Sequence, residues 1–93
     1  MTSATANVPT ASASRYLQQL CKHWAHKLEV EFTPEAGTVR FPDGLTTLKS
    51  GPAALTVTVE AQDAATVERL KQVVASHLDR FAFREAALAF DWA

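Results

Sequence analysis

Apolar and polar residues alternate along several short segments of this chain, and this alternation most constrains what the chain can fold into. The clearest segment is LTVTVEA at residues 55–61. Successive side chains of a strand point to opposite faces of the sheet, so this pattern predicts a strand with one buried and one solvated face. One-sided strands of this kind favour an antiparallel or mixed sheet over an all-parallel sheet, which is buried on both faces.

Other segments show the same alternation over shorter lengths. Strands are predicted at residues 28–32, 38–41 and 88–92. Residues 3–8 alternate over a short length and residues 45–49 do not alternate cleanly, so a strand and a loop both remain open for each of them. The segment TPEAG, with Pro34 and Gly37 as turn residues, predicts a hairpin between the second and third strands.

Two longer segments have the three-to-four-residue spacing of amphipathic helices. The first helix is predicted at residues 14–27, with Ser12 or Ser14 as its cap. The second is predicted at residues 64–81, with Asp63 as its cap. The residues on the apolar side of the first helix are Tyr16, Leu17, Leu20, Cys21, Trp24 and Leu28. Those on the apolar side of the second are Val67, Leu70, Val73, Val74, Leu78 and Phe81.

The order of these elements predicts an α+β fold. We expect a two-layer sandwich, in which two helices cover one face of a mostly antiparallel sheet of about four to five strands, in the order βαββ(β)αβ. A ferredoxin-like arrangement with an added strand and a curved sheet around the helices both fit this order. Ninety-three residues predict a single domain, residues 1–93. Residues 1–10 form either a short first strand or a partly disordered N-terminus.

Composition excludes several classes of protein. A formal net charge of -1 provides no overall field that would attract nucleic acid or an anionic membrane. No apolar run approaches the ~18 residues of a membrane-spanning helix, and the N-terminus lacks the pattern of a secretory signal. We therefore expect a cytoplasmic protein that binds neither nucleic acid nor membrane. The absence of GxGxxG, GxxxxGK[ST] and GxSxG motifs favours a binding domain over an enzyme, with no cofactor.

The segment SRYLQQLCKHWAHK holds one cysteine and two histidines within six residues. On a helix, Cys21 points roughly 140° away from His26, so these two residues cannot share one ligand. His23 and His26 are three residues apart and could share a metal, with a third ligand such as His77 from elsewhere. A metal or haem site, or an enzyme built on one, is therefore one interpretation. The other, which we favour, is that Cys21 is a core residue and the histidines are surface or boundary groups.

The outer side of the first helix is basic. No acidic residue occurs in the first 28 residues. The candidate binding residues on this side are Arg15, Lys22, His23, His26 and Lys27. Such a surface can receive a phosphate, a carboxylate or an acidic protein partner. The alternative is that these residues pair with Glu29 and Glu31 or are simply solvated.

Three segments together carry a resemblance to a known family: ASRYLQQLCKHWAHKLEVEF, VVASHLDRFAFRE and the closing FDW. From about Val8 to Trp92 the chain resembles the domain-of-unknown-function 2218 family of small bacterial proteins. The resemblance implies no established activity, and it suggests a link with siderophore-interacting, flavin-dependent ferric reductases. It therefore predicts an accessory domain that assists iron–siderophore handling by contacting such a reductase. The oligomeric state remains open between a monomer and a homodimer.

Overall fold

The computed structural model describes residues 2–82, 88 and 90–92 of the chain. Within them, strands and helices alternate in an α+β order. The elements are β1 (Thr2–Pro9), α1 (Ala13–Trp24), β2 (Glu29–Phe32), β3 (Ala36–Phe41), β4 (Gly44–Ser50), β5 (Ala54–Ala61), α2 (Ala64–Phe81) and β6 (Asp91–Trp92).

All described strands belong to one sheet with the order β2-β3-β4-β5-β1-β6, and every neighbouring pair is antiparallel. The last strand and the strand before α2 flank β1, as in a ferredoxin-like fold. The hairpin between the two helices is lengthened into a meander of four strands. The predicted α+β sandwich is confirmed, and the sheet has six strands rather than four to five.

Both segments that the sequence left open are strands. Residues 2–9 form β1, which pairs with β5 along its whole length. Residues 44–50 form β4, whose alternation is hidden because the polar residue Thr46 faces the core beside Leu48. Only part of the predicted strand at 88–92 is described as a strand, namely β6, and position 89 lies outside the described residues. Trp92 lies on the helix side of the sheet, since the Lys71 Nζ is 5.6 Å from the centre of its ring.

The first helix is shorter than predicted. It ends at Trp24 rather than residue 27, because the chain tightens there: the N–H groups of Lys27 and Leu28 both donate to the carbonyl of Trp24. Ser12 occupies the N-cap position, but its side chain makes no capping hydrogen bond with the described residues. The Ser14 Oγ also does not cap the helix, since it donates to the carbonyl of Pro34.

The second helix begins and ends as predicted, at residues 64 and 81. The backbone N–H of Thr66 donates to the Asp63 Oδ1 over 2.8 Å, which confirms the predicted cap. Its buried residues are Val67, Leu70, Val74 and Leu78, whereas Val73 and Phe81 are half-buried. No helix in the described part of the chain is long and apolar enough to cross a membrane.

Both helices lie on the same face of the sheet and contact each other. The first packs mainly on β3 and β4, and the second on β5 and β1. Gly37 is not a turn residue as predicted but lies inside β3, beneath α1. A Cβ at this position would lie 2.7 Å from the Cys21 Sγ, so only glycine permits such a close approach of helix and strand.

Candidate functional site

The contact between the two helices brings two of the three histidines together. His23 of α1 and His77 of α2 have ring centres 5.2 Å apart, with the ring planes tilted by 51°. Aromatic residues surround the pair: Trp24 lies 5.1 Å from His77 and Phe81 lies 6.0 Å from His23, centre to centre. Phe41 of β3 in turn packs edge-on against Trp24 at 5.0 Å. We call these five residues the histidine–aromatic cluster.

The orientation of the His77 ring is set by its own helix. The Nδ1 lies 2.7 Å from the carbonyl oxygen of Val73, one turn earlier. Since a carbonyl oxygen can only accept, Nδ1 must donate, which places the proton of the neutral ring on Nδ1. The Nε2 of His77 therefore carries the free lone pair. The residue is half-buried, as expected for a histidine on the apolar side of a helix.

His26 does not join this pair. The helix ends at Trp24, so His26 lies in the exposed turn beyond it, and no ring contact links it to the other histidines of the described chain. The structure thus pairs His23 with His77, whereas the sequence pointed first to His23 with His26. Among the described residues, no three histidine, cysteine, aspartate or glutamate side chains group as metal ligands.

Cys21 is a core residue. It has no exposed surface, and burial raises the pKa of its thiol to about 11. The thiol therefore stays protonated near neutral pH. A cysteine that acts as a nucleophile or a metal ligand must instead be a thiolate.

The basic side of α1, together with the turn that follows it, is exposed to solvent. Its members, which we call the α1 basic surface, are Arg15, Lys22, His23, His26 and Lys27, and each of them is exposed. No ion pair in the described part of the chain involves them. The alternative pairing with Glu29 and Glu31 is not observed, since Glu29 faces Arg40 at 3.7 Å.

Sequence reasoning missed a cleft at the end of the sheet nearest the start of α2. It has a volume of about 470 Å³ and lies between the β3–β4 turn, the end of β5 and the N-terminus of α2. Two of its acidic groups already have partners, because Asp43 pairs with Arg69 and Asp63 caps the helix. The signals in the sequence are the PDG segment at residues 42–44, which is typical of a turn, and the Asp63 cap, and each of them indicates local structure alone.

Comparisons with known proteins agree with this picture of fold and family. The family described as "Uncharacterized protein conserved in bacteria (DUF2218)" matches residues 5–93. The chain is also similar to the protein in "NMR structure of PA4090 from Pseudomonas aeruginosa", with 39% identity and a TM-score of 0.85. That match covers 100% of this chain and 96% of the other. No curated protein matches the chain.

Proposed function

The chain belongs to the DUF2218 family of uncharacterised bacterial proteins, and on that premise we propose that it is a cytoplasmic binding domain that docks on an acidic protein surface. The α1 basic surface is the docking site. The observation that carries this proposal is that its cations have no ion-pair partner in the described chain, although acidic residues are available elsewhere.

Cations elsewhere in the described chain are of two kinds, since Lys49 and Arg80 also appear in no ion pair. Arg40, Arg69 and Lys71 each lie against a carboxylate of a neighbouring residue. Arg15 and Lys22, by contrast, lie on a helix without any acidic residue. Unpaired charges of one sign on one face attract a partner of the opposite sign and orient its approach.

The exposed side chains of α1 form a straight line. Arg15, Gln19 and Lys22 follow one another at spacings of four and three residues, which is the repeat of a single helix face, and His26 lies in the exposed turn after the helix. At 1.5 Å per residue, the helical part of this line from Arg15 to Lys22 is about 10 Å long. This length suits the edge of an interface with another protein, since it exceeds what a single phosphate or carboxylate would occupy.

The partner that we propose is a flavin-dependent ferric-siderophore reductase. This choice is supported by the family resemblance, and the charge of the α1 basic surface supports an acidic patch on that partner. In this arrangement the chain assists iron–siderophore handling by holding the reductase and takes no part in the chemistry itself.

Charge reversal tests the proposal. The double variant R15E/K22E should weaken binding to the purified reductase of the host bacterium at least tenfold in ~20 mM salt, because two attractive contacts become repulsive. Binding of the wild type should itself weaken as salt rises toward ~500 mM, since the Debye length falls below about 5 Å. Biolayer interferometry with the immobilised full chain measures both effects.

The matched control is R40E/K49E, which changes the net charge equally but on exposed positions of β3 and β4. It should bind like the wild type to within about twofold. Equal weakening in both variants would show an effect of overall charge and reject the α1 basic surface. A wild type that does not bind the reductase would reject that partner.

A further inference from the structure

We propose that His23 and His77 together form a binding site for a late divalent transition metal, with Cu²⁺ as the preferred ion. The site is independent of the docking function, although His23 belongs to both regions. Neutral imidazole is a ligand that suits copper, nickel and zinc, and copper binds such nitrogen sites most tightly of the three.

The separation of the two rings fits a shared ion. A bond of ~2.0–2.1 Å from metal to nitrogen places each ring centre about 3.2 Å from the metal. Two such rings whose centres are 5.2 Å apart meet at the metal with an angle of about 110°. That angle is close to the tetrahedral value, so Cu²⁺, whose usual geometry is square-planar or tetragonal, would bind here in a distorted form.

The hydrogen bond within α2 prepares His77 for this role. Metal-binding histidines commonly donate their second ring N–H to a carbonyl or carboxylate, which fixes the tautomer and the orientation of the ring. The Nδ1 of His77 makes this bond with the carbonyl of Val73 at 2.7 Å, so that Nε2 is the nitrogen left to bind.

Each ring also has one aromatic neighbour besides the other histidine. Trp24 lies against His77, and Phe81 lies against His23. Rings restrained in this way lose less conformational freedom when they bind an ion. The two imidazoles leave further coordination positions for water or for an anion, which the neighbouring cations of the α1 basic surface would favour.

The experiment is a titration of the full chain, purified without a histidine tag, with CuSO₄. We expect one Cu²⁺ per chain, and an electron paramagnetic resonance spectrum with superhyperfine coupling from two imidazole nitrogens. H23Q and H77Q should each weaken binding at least tenfold, because each removes one of two protein ligands. H26Q is the matched control, since His26 is exposed and close in sequence, and it should bind within twofold of the wild type.

Three results would overturn the site. These are an H26Q variant that loses affinity as strongly as H23Q, an H23Q variant that binds like the wild type, or a spectrum with a single nitrogen ligand. His23 is exposed, so H23Q is expected to fold normally, which circular dichroism checks. This variant decides the question even if H77Q, at a half-buried position, does not fold.

Discussion

Replacing Thr46 by valine should stabilise this protein. The side chain has no exposed surface, and its hydroxyl makes no hydrogen bond with any residue that the structure describes. In the sheet, Thr46 stands between Val39 of β3 and Val59 of β5, which are fully buried too. A buried hydroxyl without a partner costs about 1–3 kcal/mol of desolvation that folding does not recover.

The size of the effect follows from the similarity of the two side chains. Valine has nearly the shape of threonine and the same branching at Cβ, so the T46V variant keeps the packing and the strand preference. We expect the free energy of unfolding to rise by about 1–2 kcal/mol, which is most of the recovered desolvation. For a domain of this size, that rise corresponds to an increase of about 4–10 °C in Tm.

Urea and thermal unfolding measure the change in stability. An unaltered slope of the free energy of unfolding against urea concentration would confirm that wild type and variant expose the same surface when they unfold. T46S is the first control: it keeps the hydroxyl and loses a buried methyl, so it should destabilise by about 1 kcal/mol. T47V, on the opposite face of β4, should stay within about 0.5 kcal/mol of the wild type. A T46V protein no more stable than the wild type would refute the reasoning, because the hydroxyl must then have a partner in the folded state.

Two further changes test the packing of α1 and the start of α2. G37A should destabilise the protein by about 1–3 kcal/mol in urea unfolding, because the added methyl meets the Cys21 Sγ. In the double variant G37A/C21A, the smaller side chain at position 21 should relieve much of this loss. If the effects of the two substitutions simply added, that result would contradict the contact. D63A should lower the melting temperature at neutral pH through loss of the cap on Thr66. The cap lowers the pKa of Asp63 from 3.8, so its contribution is complete above that value and disappears as the pH falls through the lower pKa of the folded state. D63N should keep the cap but lose the decrease in stability at acid pH that comes from Asp63. If the stability of D63N fell with pH as much as that of the wild type, other groups would be responsible for the decrease.

Local pattern was sufficient for most of the fold. A strand repeats every two residues and a helix about every 3.6 residues. The alternation in residues 55–61 and the apolar spacing of residues 67–78 follow these two repeats, and β5 and α2 form where the repeats predict them. β4 was ambiguous because its pattern contains a polar residue, Thr46, that the fold buries. The end of α1 was misplaced because the chain leaves the helix to reach β2, which the helical spacing alone does not reveal.

The candidate site was predicted only in part, for a reason of a different kind. Exposure of Arg15 and Lys22 follows from helix geometry, and the sequence placed them correctly on one surface. The pairing of His23 with His77 depends on how closely α1 and α2 lie and how each is rotated about its axis. These quantities arise from the packing of both helices on the sheet, and no spacing within a single helix contains them.

The burial of Cys21 on the side of α1 that faces β3 makes this protein its own reporter of conformational opening. A thiol with no exposed surface and a pKa of about 11 reacts with a disulfide reagent only in molecules where α1 has separated from β3. When reclosing is faster than the chemical step, the rate of modification gives the equilibrium constant for that separation. Since this is the only cysteine in the chain, a single chromophoric reagent follows the event in the unmodified protein.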